Sequence, residues 1–482
     1  MKQNNELNII INFLLFFGFW IFSCQSLVAK GLLLTESAVI ESAKKHHPKI
    51  YITEEQIRLA EAKLQEALGA FDSKIETTYN HFTKGYYQDR SRLESKAIKP
   101  LNIANSKIYL GYNQSINGSY PELNPYFNTK SQGRTIFGLE LSLLRGFLIN
   151  EQLAVTKISN IDITTAKYAK LLMQSQIIAD AKKAYWKYLY SKKIVELYQN
   201  MLEVALKREN SLKMQIKKGD KPRILLDENK RIILRRQSML ESAKRQLINT
   251  ATNLSMYLRR DDGQMLEVEK IIDSSIANED FNYIIPNATM LQQDTNLAKD
   301  HRFDIAIARN LLEQANIKIK LSKNQLLPIV DIGFESTTDY GEGPIEKNNN
   351  SNKVKLNITI PIENKKQRGE VNKNNANLKI ARRNLHLLQD SIANEINFAY
   401  NQMKEVDILI KNAFSEIEIA KKLLTAETIK FNNGDSDFFM LNTREQDVLS
   451  AIEYHYRSKL TIAELAIEYQ FMTQDTININ QD

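Results

Sequence analysis

The sequence predicts a mixed α and β membrane protein, with long antiparallel helices packed into a tube, short strands pooled between copies into a transmembrane barrel, and an internal two-fold sequence repeat. Three observations predict it. The stretches Phe147 to Lys218 and Glu370 to Asn433 contain neither glycine nor proline. Several short segments alternate apolar and polar residues, and both kinds of segment recur in the same order in two halves.

The long stretches come first because they are hardest to fit into a compact domain. At 1.5 Å per residue each would form a helix of roughly 95 to 110 Å, against the 8 to 20 residues of ordinary globular helices. The first keeps a helical rhythm through Leu171, Ile178, Tyr185, Leu189 and Leu197. Gly219-Asp220-Lys221-Pro222 breaks it, and Gly434-Asp435-Ser436-Asp437 breaks the second. The whole chain of 482 residues holds only 16 Gly and 9 Pro, so few other interruptions are available.

The alternating segments are Lys74 to Phe82, Lys107 to Ile116, Ile136 to Leu144, Ile329 to Thr337 and Val354 to Ile362. Leu139, Leu141 and Leu143 oppose Gly138, Glu140 and Ser142, while Val354, Leu356, Ile358 and Ile360 oppose Lys355, Asn357 and Thr359. Strands of this length with one apolar face match the signal of an outer-membrane barrel. Four or five strands cannot close one, and open edges in lipid are costly, so several copies must pool them.

The chain divides into a leader at 1–29, a first repeat at 30–262, a linker at 263–288, a second repeat at 289–474 and a polar tail at 475–482. Within the first repeat lie a helix from Thr35 to Leu68, strands 71–83, 107–117 and 135–145, and helices 147–218 and 223–260. The second holds a helix from Met290 to about Leu326, strands 329–337 and 354–362, and helices 366–433 and 438–472. In the leader, Lys2, the apolar run Ile9 to Phe22 and the small residues around Ala29 form an export signal. The single cysteine, Cys24, is a candidate lipidation site, since Ile21-Phe22-Ser23-Cys24 partly matches a lipobox; Phe22 is bulky for one. A mature chain would then have no disulfide.

Charge and chemistry narrow the function. The 65 basic and 57 acidic residues leave a net charge of +8, spread along the chain. The densest basic group is Lys230, Arg231, Arg235, Arg236, Lys244 and Arg245. It reads as a solvated helix face with Glu228 and Glu241 interspersed, and no nucleic acid is expected as a partner. The six histidines lack metal-ligand spacing, no nucleophile motif or phosphate loop is present, and neither enzymatic activity nor a cofactor is expected. Trp186 with Tyr185, Tyr188 and Tyr190 reads as helix packing.

Leu34-Thr35-Glu36-Ser37-Ala38 leading to His47-Pro48, the Leu327-Pro328 corner, the strand ending at Pro361 before Arg368-Gly369-Glu370-Val371, and Phe431-Asn432-Asn433-Gly434 followed by Leu441 and Arg444-Glu445 form an ordered set. The set resembles the outer membrane efflux protein (TolC-like outer membrane factor) family and spans nearly all of the mature chain. The resemblance implies a homotrimer with a twelve-stranded shared barrel in outer-membrane lipid and a periplasmic α-barrel. It also implies a Gram-negative outer-membrane location, a periplasmic adaptor (membrane fusion) protein and an inner-membrane pump of RND or ABC type. The expected function is then a passive channel in efflux or type I secretion; the alternative is a structural or adhesive coiled-coil surface protein. Two departures stand out: the extra segment Lys107 to Ile116 with a long Gly85 to Lys107 connection, expected as an enlarged loop or plug, and the proline in the first turn.

A duct needs a closable constriction and a docking surface. Gly219, Asp220, Arg223, Gly434, Asp435, Asp437 and Arg444 are the candidates, with glycine reversing the chain, carboxylates forming rings by symmetry, and the arginines as ion-pair partners. The plain alternative is that each aspartate caps the next helix.

Overall fold

A computed structural model of the chain describes residues 34–83, 90–116, 129–260, 262–266, 280–343 and 348–474. The leader with Cys24, much of the 263–288 linker and the 475–482 tail lie outside the described residues. The chain forms two compact units. One gathers Met1–His47, Asp180–Tyr283 and Leu409–Ala463; the other gathers Pro48–Ala179, Ile284–Ile408 and Glu464–Asp482.

The elements run α1 (Glu36–His46), α2 (Pro48–Leu68), β1 (Lys74–Phe82), β2 (Arg90–Pro100), β3 (Lys107–Ile116), β4 (Arg134–Ser142), α3 (Glu151–Lys217), α4 (Ile224–Ser255), α5 (Ala288–His301), α6 (Phe303–Asn324), β5 (Ile329–Asp339), β6 (Asn350–Thr359), α7 (Lys365–Asn433) and α8 (Phe438–Gln474). The 67-residue α3 and 69-residue α7 fill the uninterrupted stretches.

Two helices expected as continuous are each broken at a single residue. His47 has φ −73° and ψ 127°, the extended conformation that the ring of Pro48 imposes on the residue before it. Arg302, at φ −59° and ψ 146°, makes the same break without a proline, and its guanidinium grips Asp304 with hydrogen bonds of 3.2 and 2.8 Å. Side-chain caps open two of the four helices: Thr35 Oγ1 accepts from Ala38 N at 3.2 Å, and Asn287 Oδ1 from Met290 N at 2.9 Å.

In the first unit the aromatic run on α3 is fully packed. Tyr185, Trp186, Tyr188 and Tyr190 are buried, Trp186 Nε1 donates to Glu36 at 2.7 Å, and its ring meets Phe281 edge-on at 5.0 Å. In the second unit Ile305, Ile392, Ile396 and Met403 are buried, and polar rungs cross between helices. Asn310 Nδ2 donates to Thr165 Oγ1 at 3.0 Å and Gln314 Nε2 to Asp162 Oδ1 at 2.6 Å. Another row on α7, including Ile380, Leu387 and Phe398, stays exposed.

The second unit also holds the sheet, a six-stranded antiparallel meander in the order β1-β2-β3-β4-β5-β6. The expected Gly85 to Lys107 loop is corrected here: residues Arg90–Pro100 are a strand, paired from Lys74↔Ile98 to Phe82↔Arg90 on one side and from Ser91↔Ile116 to Pro100↔Lys107 on the other. The four strands per copy that a twelve-stranded trimer needs are therefore exceeded by two. β6 starts at Asn350 and ends at Thr359, ahead of Pro361, which has no N–H for the ladder. Ile360 falls just outside β6, and Leu143 lies one residue beyond the end of β4.

Candidate functional site

Two local structures have the geometry of a working site: the paired turns of the first unit and the two faces of the sheet.

The turns share one backbone design. Gly219 and Gly434 take φ of +86° and +87°, in the left-handed region that an L side chain resists. At each, the glycine N–H donates three residues back, Gly219 to Ile216 O at 3.0 Å and Gly434 to Phe431 O at 3.3 Å. The next N–H donates five residues back, Asp220 to Gln215 O and Asp435 to Lys430 O, both at 2.9 Å. This is the Schellman closure of a helix C-terminus. A Cβ on either glycine would meet nothing within 4 Å, so backbone conformation alone demands glycine. Valine at either position should cost about 1–2 kcal/mol, and asparagine, which tolerates the left-handed region, distinctly less. Urea unfolding followed by helical circular dichroism would read the difference.

The turns differ in how the next helix starts. Asp437 Oδ1 accepts from Met440 N at 2.7 Å and so caps α8. α4 instead starts behind Pro222, with Arg223 already helical and no side-chain cap. The Asp220, Asp435 and Asp437 side chains are exposed. Arg444 pairs with Asp447 one turn along its own helix at 3.3 Å, and among the described residues neither it nor Arg223 pairs with a turn aspartate. Within the chain, Arg444 finds its carboxylate on α8.

Beneath the turns lies a cluster of Ala205, Leu212, Ile232, Ile233, Phe431, Phe438 and Leu441. The rings of Phe431 and Phe438 meet edge-on at 6.2 Å. Lys221 Nζ sits 4.6 Å from the Phe431 centroid, tying the first turn to the second.

Under this cluster is a buried ionic group. Glu445 accepts from Arg208 Nη1 through Oε1 at 2.7 Å and from Arg236 Nη2 through Oε2 at 2.6 Å. Arg208 Nε also donates to Asn229 Oδ1 at 2.7 Å, and Arg236 Nη1 to Met201 O at 2.6 Å. Burial pushes the Arg208 pKa down, against the opposing pull of Glu445. A cleft of about 370 Å³ opens beside it, lined by Arg208, Ser211, Gln215, Thr428, Asn432 and Glu445. The expectation of a wholly solvated basic face is corrected at Arg236, which is buried; Lys230, Arg231, Arg235, Lys244 and Arg245 are exposed.

The sheet is built inside out. One face carries Ile75, Tyr79, Leu110, Phe137, Phe334, Val354, Leu356 and Ile358, and it is the exposed face: Leu110 is 63 % and Leu356 60 % accessible. The opposite face carries Arg92, Glu94, Lys96, Asn113, Arg134, Glu140, Ser142, Asp331, Glu335 and Asp339, and it is the more buried one at the centre, with Ser142 and Asp339 at 4 % each. That face is laced with charge pairs, Lys107 to Glu140 at 2.8 Å and Arg134 to Asp339 at 3.0 Å. A sheet in water hides its apolar side; this one presents it. Among the described residues there is no group of three or more His, Cys, Asp or Glu placed to hold a metal, and no helix long and apolar enough to cross a membrane.

Residues 295–453 match the family model described as outer membrane efflux protein. No curated protein matches the chain. Among solved structures, the Campylobacter jejuni CmeC outer membrane channel matches at 14 % identity and a TM-score of 0.64, over 93 % of this chain and 87 % of that one. The Vibrio cholerae outer membrane protein VceC matches at 13 % and 0.65, over 91 % and 95 %. The Neisseria gonorrhoeae MtrE outer membrane channel, solved in its open state, matches at 14 % and 0.62, over 91 % and 88 %. The chain thus carries an outer membrane efflux protein domain at residues 295–453 within a fold shared with solved outer-membrane channels.

Proposed function

We propose that the protein is the outer-membrane channel of a tripartite efflux or type I secretion system, a passive duct from the periplasm to the exterior of a Gram-negative cell. The observation that carries this reading is the exposed apolar face of a sheet whose other face is charged, the arrangement required between lipid and a watery lumen. The reading as a coiled-coil surface protein leaves that apolar face without a medium.

Six strands fall short of the smallest single-chain barrel, of about eight. Among the described residues no strand pairs with the outer edge of β1 or of β6, and lipid makes an open edge prohibitively costly. A homotrimer joining β6 of each copy to β1 of the next removes every edge, and the exposed row on α7 supports side-by-side helix packing between copies. A periplasmic adaptor and an inner-membrane RND or ABC pump complete the system. Fractionation, mass of the detergent-extracted particle and conductance in planar bilayers test the reading. The expected result is a trimer in the outer membrane that conducts ions, and a soluble monomer would overturn it.

In this reading the Gly219 and Gly434 turns form the periplasmic gate and the adaptor-docking point, where Asp220, Asp435 and Asp437 repeat into carboxylate rings, with Arg223 and Arg444 available to neighbouring copies. Replacing Asp435 and Asp437 together by asparagine should lower cation preference while leaving the trimer intact, because asparagine caps helices nearly as well as aspartate. Reversal potentials at low salt, where screening is weakest, measure the effect. An unchanged selectivity would leave Asp435 as a turn residue and Asp437 as the α8 cap alone.

A further inference from the structure

We propose that the β2–β3 hairpin is built into the membrane wall itself, so that each copy supplies six strands and the trimer proposed above closes a barrel of eighteen. The inference rests on that channel reading and adds the width of the duct to it.

The hairpin has the full height of its neighbours. Its pairing starts where β1 starts, at Lys74↔Ile98, and its other strand pairs with β4 from Lys107↔Glu140 to Asn113↔Arg134. The turn between β2 and β3 is anchored at the same end as the strand-to-helix junction: Ser142 N donates to Ala104 O at 2.9 Å, and Asn150 Nδ2 to Asn105 Oδ1 at 3.4 Å. A surface loop decorating the far end of a barrel would have neither feature.

The faces of the hairpin continue those of the sheet. Ile108 and Leu110 lie in the row of Phe137 and Leu139, and Arg92, Glu94, Lys96 and Asn113 lie in the charged row. One side chain fastens the insertion across the seam. Tyr109 of β3 lies over Gly138 of β4, where a Cβ would come within 2.0 Å of its ring, and donates to Glu335 of β5 at 2.9 Å. Glycine at 138 is what leaves room for the tyrosine to reach across a whole strand.

Parity permits the insertion. Two added strands keep β1 and β6 antiparallel, so the seam between copies closes as it would with four strands each; one added strand would have made that seam parallel. With strands about 4.8 Å apart and tilted about 40°, eighteen strands enclose a backbone diameter of about 36 Å, against about 24 Å for twelve. The cross-section roughly doubles, and the lumen gains the charges of Arg92, Glu94 and Lys96.

Two measurements on the full chain, produced in its native membrane, decide it, and a deletion adds a third readout. Electron microscopy of the extracted trimer should show eighteen strands and a wall about 36 Å across. Oxidation of the double variants Thr77→Cys/Ser95→Cys and Tyr112→Cys/Thr135→Cys, whose positions are register partners on β1·β2 and β3·β4, should cross-link within one chain. Deleting residues 90–116 should still give a trimer, with the wall narrowed by about a third. An outer-membrane trimer with a twelve-stranded wall and neither cross-link would overturn the inference and leave the channel reading standing. Absence of any outer-membrane trimer would overturn both.

Discussion

Replacing Glu445 by alanine is expected to cost about 3–5 kcal/mol of stability, the usual penalty for stranding buried charge. Among the described residues the carboxylate is the only anion paired with these two guanidiniums, whose side chains are themselves almost fully enclosed, Arg208 at 2.7 Å and Arg236 at 2.6 Å. Its removal leaves two like charges facing each other at low dielectric. Asn229 and the carbonyl of Met201 remain as partners, but neither carries charge. Glutamine at 445 keeps the shape and should recover only part of the loss. The informative contrast is the triple variant Arg208→Met/Arg236→Met/Glu445→Met, expected to be more stable than Glu445→Ala although it removes more interactions, because no charge is left unpaired. Urea unfolding of the helical signal would show it, and a loss below about 1 kcal/mol in Glu445→Ala would mean that water reaches the group.

The signal for this cluster was present in the sequence in a form that charge-counting hides. Arg236 falls three residues after Ile233 and four before Leu240; Arg208 falls three after Ala205 and four before Leu212; Glu445 falls four after Leu441 and three before Val448. Each occupies an apolar-stripe position of its helix, and only the stripe separates Arg236 from its solvated neighbour Arg235. Their pairing joins segments 237 residues apart, which no local pattern encodes. The long helices and the Gly-Asp turns were legible because glycine and proline mark them so sparsely. β4 was legible because Phe137, Leu139 and Leu141 contrast with Gly138, Glu140 and Ser142. β2 was not: Arg92, Glu94 and Lys96 alternate with Ser91, Leu93, Ser95 and Ala97, where Leu93 is the one large apolar residue, so the period-two contrast that reveals a strand is weak. Its strand identity comes from the ladders on either side.

Arginine at Ile358 is expected to impair barrel assembly by about 2–4 kcal/mol if the position lies near the bilayer midplane, roughly 30- to 1,000-fold in the folding equilibrium. Ile358 belongs to the apolar row of β6 with Val354 and Leu356, is 56 % accessible, and is register partner to Val330. A guanidinium there must be dragged into hydrocarbon or snorkel to an interface. One residue earlier the same substitution meets the opposite environment. Asn357 is paired across the ladder with Asp331, on the face that also holds Glu335 and Asp339, so arginine at 357 gains a carboxylate neighbour and water. The two variants have the same charge, the same strand and nearly the same depth, which leaves the face as the difference between them. The fraction of chain recovered as folded trimer from outer membranes should fall sharply for Ile358→Arg and stay near wild type for Asn357→Arg. Equal recovery would mean that the exposed apolar row faces something other than lipid, and the case for a membrane wall would fall with it.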